Sequence, residues 1–192
     1  YTLGVVGQNL SLTILIPTYK RILSLERCLQ SIYMQKIQAD KILITVHKND
    51  FDTLDYLRNH SMEFVEVEKK GIVEAILTAL NFVNTDLVGF LDDDVTLPDD
   101  WVENAKKAFE MNDHLGAFGG TDIQSKFSLN EKITVGKMTK YGKLVGNHHL
   151  ASGLEREVDF LKGCNMVIKS SIVKEYSPAI KKLRGNGAQV GN

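Results

Sequence analysis

Short apolar runs alternate with helical stripes through the first part of the chain. Leu12-Thr13-Ile14-Leu15-Ile16 is β-branched and apolar, and Pro17 closes it; this predicts a buried strand. Leu25, Cys28, Leu29 and Ile32 recur at helical spacing. Ile42 to Val46 is a second strand-like run, and Thr53 to His60 fits a short helix. Phe64 to Val67 alternates like a strand. Ile72, Ala75, Ile76, Ala79, Leu80 and Val83 form an apolar helical stripe. Leu87 to Leu91 is a further buried strand, and Leu115 to Thr121 another. Between them, Trp101, Val102, Ala105, Ala108 and Phe109 mark a helix face. Thr96-Leu97-Pro98-Asp99 before it reads as a capping box.

Apolar strands separated by amphipathic helices mean βαβ units, hence a mostly parallel sheet covered on both faces. Right-handed crossovers align the strand C-terminal ends along one edge, where open α/β sheets bind ligands. After Thr121 the pattern changes. Gln124 to Arg156 is polar and glycine-studded without sustained periodicity, so a long irregular insertion is expected. Val158 to Leu161 and Cys164 to Ile168 return to strand character, and Ser170 to Tyr176 to helix.

Composition narrows the class. The 192 residues are 43% hydrophobic and 24% charged, with a net charge of −1. This is an ordinary globular balance, long enough for one domain with a sizeable core. A strongly basic nucleic-acid binder is excluded. No run approaches the roughly 20 apolar residues that span a bilayer. Cys28 and Cys164 match no zinc spacing and sit in apolar stretches, so buried reduced thiols are expected. The chain begins at Tyr1 and closes in a glycine-rich run from Gly185 to Asn192, which fits a fragment of a longer protein.

The strand ends carry the candidate chemistry. Pro17-Thr18-Tyr19-Lys20-Arg21 offers hydroxyls and a guanidinium fork suited to phosphate or a base edge, or else a turn capped by Thr18. Asp92-Asp93-Asp94 follows five apolar residues. Like charges this close repel, and a divalent cation such as Mg²⁺ or Mn²⁺ relieves them. Gly119-Gly120 permits close backbone approach to a ligand or makes a tight turn. Asn165 in Gly163-Cys164-Asn165-Met166 suits a sugar hydroxyl or a turn. His148 and His149 point different ways on any regular element, so a shared metal site is not expected; acceptor contact or a solvated loop remains.

Taken in order, Thr13 to Arg21, Phe90 to Asp94, Gly119-Gly120 and Leu161 to Met166 resemble the family-two glycosyltransferases of GT-A fold, from about Leu12 to Ser171. The resemblance implies an α/β fold of Rossmann type, with a mostly parallel sheet sandwiched by helices and a long irregular acceptor-side insertion. It implies one catalytic domain, with a nucleotide-binding half at about 11–121 and an acceptor-side half at about 122–192. It implies an inverting transfer from a nucleotide-diphosphate sugar to a saccharide or other hydroxyl acceptor, using Mn²⁺ or Mg²⁺. By position, Pro17, Thr18, Tyr19, Arg21, Asn49, Asp50, Asp92 and Asp93 would bind nucleotide, and Asp94 the metal. Gly120, Gly163, Asn165 and His148 would border sugar and acceptor. No nucleic-acid partner is implied. A cytoplasmic setting is, at the inner face of a membrane where segments outside this chain provide peripheral association.

Two departures from the family pattern stand out. Lys48, in Val46-His47-Lys48-Asn49-Asp50, replaces a nucleoside-binding acid, with Asn49 or Asp50 as substitutes. The motif that supplies the catalytic base is expected only beyond Asn192, so the chain is expected to be truncated there. Two other functions fit part of the pattern. Asp92-Asp93-Asp94-Val95-Thr96 suits a haloacid-dehalogenase-type phosphatase, with Asp92 as nucleophile and Asp94 as general acid. A non-catalytic nucleotide-binding module is the other.

Overall fold

The computed structural model describes residues 9–123, 132–151 and 155–182. The elements are β1 (Leu12–Thr18), α1 (Ile22–Tyr33), β2 (Lys41–His47), α2 (Phe51–Asn59), β3 (Phe64–Val67) and α3 (Ile72–Ala79), which runs into a 3-10 turn. They continue with β4 (Leu87–Leu91), α4 (Trp101–Met111), β5 (Ala117–Gly119), β6 (Lys137–Met138), β7 (Leu144–Val145), β8 (Asn165–Lys169) and α5 (Ser170–Lys182). The glycine-rich run from Gly185 lies outside the described residues.

Six strands form one sheet in the order β3-β2-β1-β4-β8-β5. β1 to β4 are mutually parallel, and β8 runs antiparallel to both β4 and β5. The strand period of two explains the unbroken apolar runs. Leu12, Ile14 and Ile16 of β1 join Leu25, Leu54 and Val102 in one core, under α1, α2 and α4. Leu15 faces the other way, with Leu43, Val65, Leu77 and Val173, under α3 and α5. Both sheet faces are therefore buried, which matches the expected α/β class. Among the described residues, no helix is long and apolar enough to cross a membrane.

Some local expectations fail for identifiable reasons. Pro17 does not end β1; it pairs in register with Thr45, and Thr18 with Val46. The ladder from β1 to β4 stops at Leu15, so Pro17 lies where the strand has one neighbour only. Thr18 caps no helix: Arg21 is the N-cap of α1, without a side-chain bond. The expected capping box before α4 is absent, since Asp100 is the N-cap and makes no side-chain cap bond. Asp99 pairs instead with Lys36 at 3.0 Å. Val158 to Leu161 is not a strand; the Asp159 N–H donates to the Gly136 carbonyl. The insertion contains the small hairpin β6–β7, whose two-residue strands are too short to leave a periodic signal. Cys28 is buried as expected, but Cys164 is only half-buried.

The antiparallel β8 has a consequence for the sheet edge. Its first residue, Asn165, pairs with Leu91, the last residue of β4. A parallel strand would have placed its start at the opposite edge. Trp101, at the head of α4, packs against the same junction because Gly89 of β4 leaves it room. A Cβ on Gly89 would lie 3.1 Å from Trp101 Cη2 and 3.6 Å from Val167 Cγ2. Overpacking a filled core costs about 1–3 kcal/mol. Gly89→Val should therefore lower the thermal unfolding midpoint by about 2–10 °C in a chain of this length. An unchanged midpoint in differential scanning calorimetry would contradict this packing.

Candidate functional site

The acidic turn after β4 has a counter-charge that sequence inspection did not supply. Asp93 is completely buried. The Thr18 hydroxyl donates to Asp93 Oδ2 at 2.7 Å, and Arg21 Nε donates to the same oxygen at 3.1 Å. Arg21 Nη2 lies 2.7 Å from Asp93 Oδ1, an ion contact, although that oxygen accepts no hydrogen bond of good geometry. Nη1 of the same guanidinium reaches Asp94 Oδ2 at 3.2 Å. The carboxylates at the end of β4 are thus bound to the loop after β1, and the repulsion expected between them is partly answered from within the protein.

Burial still dominates the protonation of this turn. It pushes Asp93 above the usual carboxylate range, against the Thr18 hydrogen bond and the Arg21 charge. Asp92 is raised first by burial and then by Asp94, with Arg21 and Lys162 opposing. The Cys28 thiol is pushed up to about 12, mainly by burial and then by Asp93, Asp94 and Asp92. It donates weakly to the Asp92 carbonyl at 3.6 Å and acts as neutral filler under the turn.

Next to the turn, across Arg21, is a cavity of about 270 Å³ at the C-terminal ends of β1, β2 and β3. Pro17, Thr18, Tyr19 and Arg21 line it from the first strand, and Thr45, Val46 and His47 from the second. Val67, Lys69, Lys70 and Gly71 close the third side, and Ile72 and Ala75 of α3 cover it. Four expected residues, Pro17, Thr18, Tyr19 and Arg21, are brought together here. Thr18, however, offers its hydroxyl to Asp93 and is 7% exposed. Lys69 and Lys70 make no ion pair among the described residues. These two lysines follow β3 after one residue, Glu68. Extending the strand-end argument to β3 would have found them.

Other expectations do not survive the geometry. Asp50 is 2% exposed; it caps α2 by accepting the Thr53 N–H and accepts the Lys20 N–H at 2.6 Å. Asn49 is exposed and, like Asp50, does not line the cavity. Neither therefore replaces the missing acid, and Lys48 turns away to pair with Glu68 at 3.3 Å. Asp93 is enclosed by Thr18 and Arg21, so its carboxylate positions those groups and does not face a nucleotide. The fork of Arg21 is likewise occupied by carboxylates.

The other end of the edge contains Gly120, Gly163 and Asn165. Trp101 Nε1 donates to Asn165 Oδ1 at 2.8 Å. A Cβ on Gly120 would come within 3.0 Å of Asn165 Nδ2, so glycine there lets the amide lie close. Gly163 is exposed, with open space beside it. Lys162 pairs with Asp122 near Asp92. His148 does not join them. It is buried, its Nε2 is 3.2 Å from the Phe160 carbonyl, and its ring packs edge-on against Phe160. It holds the insertion together instead of facing an acceptor.

Among the described residues no group of three or more His, Cys, Asp or Glu could enclose a metal ion. Asp92 and Asp94 offer hard carboxylate oxygens, a donor set that fits Mg²⁺ or Mn²⁺ bound by one or two carboxylates with phosphates completing the shell.

The model of the glycosyl transferase family 2 matches residues 13–177. The chain belongs to this family. Among solved structures, it is similar to the mannosyltransferase PcManGT from Pyrobaculum calidifontis in complex with GDP-Man and Mn²⁺, at 17% identity and a TM-score of 0.57. The match covers 88% of this chain and 47% of that one. Glucosyl-3-phosphoglycerate synthase from Mycobacterium tuberculosis, in complex with Mn²⁺, UDP-glucose and phosphoglyceric acid, aligns at 11% identity and a TM-score of 0.56, covering 86% of this chain and 58% of that one. The 4-diphosphocytidyl-2C-methyl-D-erythritol synthase of Anaerococcus prevotii aligns at 14% identity and a TM-score of 0.56, covering 94% and 78%. At these identities the likeness shows the fold, and the chain spans about half the length of the mannosyltransferase. No curated protein sequence matches the chain. Membership of glycosyl transferase family 2 sets the phosphatase alternative aside, since Asp92 to Asp94 then follow the fourth strand of a GT-A sheet.

The raised Asp92 gives this family-two site a measurable pH signature. A carboxyl held above its unfolded value of 3.8 binds its proton more tightly in the folded state. Its contribution to stability is present at low pH and is lost as pH rises through the folded value. Asp92→Asn removes that loss. Relative to the native protein, the variant should gain stability in urea unfolding between about pH 3.5 and pH 7. A constant difference across that range would contradict the assignment.

Proposed function

We propose that the protein transfers a sugar from a nucleotide-diphosphate donor to a hydroxyl acceptor with inversion at the anomeric carbon. One observation carries this reading: Arg21 lines the cavity and also pairs with Asp94 of the acidic turn. A nucleoside in the cavity would therefore direct its diphosphate toward Asp92 and Asp94. The apolar wall of Pro17, Val67, Ile72 and Ala75 suits a planar base.

Asp94, with Asp92 beside it, would hold Mn²⁺ or Mg²⁺. A cation bound there neutralises the charge that develops on the departing nucleoside diphosphate. The roles of the protein groups are distinct. Thr18 and Arg21 hold Asp93, and through it the turn, so that the two outer carboxylates keep their separation from the cavity. Cys28 fills the space beneath without adding charge. Asn165, oriented by Trp101 and backed by Gly120, would border the sugar, with exposed Gly163 leaving room for the acceptor.

Binding linkage tests this directly. At a nucleoside diphosphate concentration of about 100 times Kd, the folded state gains about 2.7 kcal/mol. For this chain length the thermal midpoint should rise by about 5–10 °C with Mn²⁺ present. Asp94→Ala should abolish the Mn²⁺-dependent part of the shift and leave a smaller metal-independent part. A shift that is the same with and without Mn²⁺ in the native protein would overturn the metal-linked donor site.

A further inference from the structure

The floor of the cavity holds a hydroxyl with no partner. Thr45 is 1% exposed, lines the cavity, and its Oγ1 makes no hydrogen bond among the described residues. Its direction follows from the strand period. Leu43 of β2 belongs to the core under α3, and Ile44 and Val46 to the opposite core. Thr45 therefore faces the α3 side, where Ile72 and Ala75 cover the cavity. A buried hydroxyl without a partner is costly and calls for an explanation. Thr13 on β1 shows the contrast: its hydroxyl shares a hydrogen bond with Thr85 at 2.7 Å.

The polar groups nearest Thr45 are already engaged, and Tyr19, which also lines the cavity, is exposed, with its ring against His47 and Lys20. His47 has both ring nitrogens occupied. Nδ1 accepts the Asn49 N–H at 3.2 Å, which leaves Nε2 to donate to the Glu68 carbonyl at 3.0 Å. Thr18 donates to Asp93, and the Arg21 fork holds Asp93 and Asp94. No Asp or Glu lines the cavity among the described residues. The charged lysines 69 and 70 are exposed at its mouth. At the floor, Thr45 is the side chain left with hydrogen-bonding capacity.

We propose that Thr45 is a specificity-determining residue whose hydroxyl bonds the edge of the nucleobase seated in the cavity. This rests on the donor-binding role given above. A neutral hydroxyl, able both to donate and to accept, discriminates less sharply than a carboxylate. The preference it creates among bases is therefore modest, on the order of threefold to tenfold.

Isothermal titration of ADP, GDP, CDP and UDP in the presence of Mn²⁺ tests this in the native protein, Thr45→Val and Thr45→Ser. The native protein should prefer one base. Thr45→Val, of the same shape, should weaken that nucleotide by about threefold to tenfold and leave the others within about twofold. Thr45→Ser, which keeps the hydroxyl, should retain the preference. Unliganded Thr45→Val should melt at or above the native midpoint, because a methyl replaces an unpaired hydroxyl. If the native protein binds none of the four, the donor-site reading falls and this inference with it. If it binds but Thr45→Val keeps the native preference, the role of Thr45 alone is overturned. Equal weakening of all four, with a lowered midpoint, would likewise show that the residue only supports the fold.

Discussion

The site is built around one completely buried carboxylate. Asp93 ends up inside the protein because it follows an apolar strand whose neighbours leave it no path to water. An ionised group in that position is tolerated only when paired and hydrogen-bonded. Thr18 and Arg21 meet that need from the end of β1, 75 and 72 residues away in sequence. Because Thr18 ends β1 and Arg21 opens α1, the pairing fixes two sheet-edge segments against each other. The wall of the cavity and the base of the acidic turn are then one rigid unit.

That constraint divides the three aspartates by role. The middle one is completely buried and holds position, while Asp92 is half-buried and Asp94 is exposed. Arg21 serves two of the three carboxylates from one planar fork, which a lysine could not do in the same geometry. Close to the other end of the edge, Trp101 and Asn165 form a second fixed unit. It depends on Gly89 leaving room for the indole ring and Gly120 leaving room for the amide. The space between these two units is where a donor sugar and its acceptor would meet.

Much of this was legible from local pattern. The apolar runs at β1, β2, β3 and β4 and the stripes of α1, α3 and α4 were visible because burial on both sheet faces and on one helix face leaves periods that need no partner to read. Topology alone points to the strand ends, and four residues there, Pro17, Thr18, Tyr19 and Arg21, line the cavity. Asp50 and His148 have the right chemistry at plausible positions, yet a helix N-terminus and a carbonyl engage them, respectively. Neither partner could be identified before the chain was folded. The hairpin β6–β7 was missed because two-residue strands carry no period.

By itself, then, the amino-acid order determined the α/β class, the edge at which chemistry gathers, and the family pattern of the Asp92–Asp94 turn. These depend on spacing and on the hydrophobic effect, both of which act along the chain. Tertiary structure alone decided which carboxylate is buried, that Arg21 is its counter-charge, and that β8 runs antiparallel and so brings Asn165 beside Leu91. It also decided that Thr45 faces the cavity with its hydroxyl unanswered. Hydrogen bonds and ion pairs are short-ranged and directional, so their partners are set by which distant segments pack together.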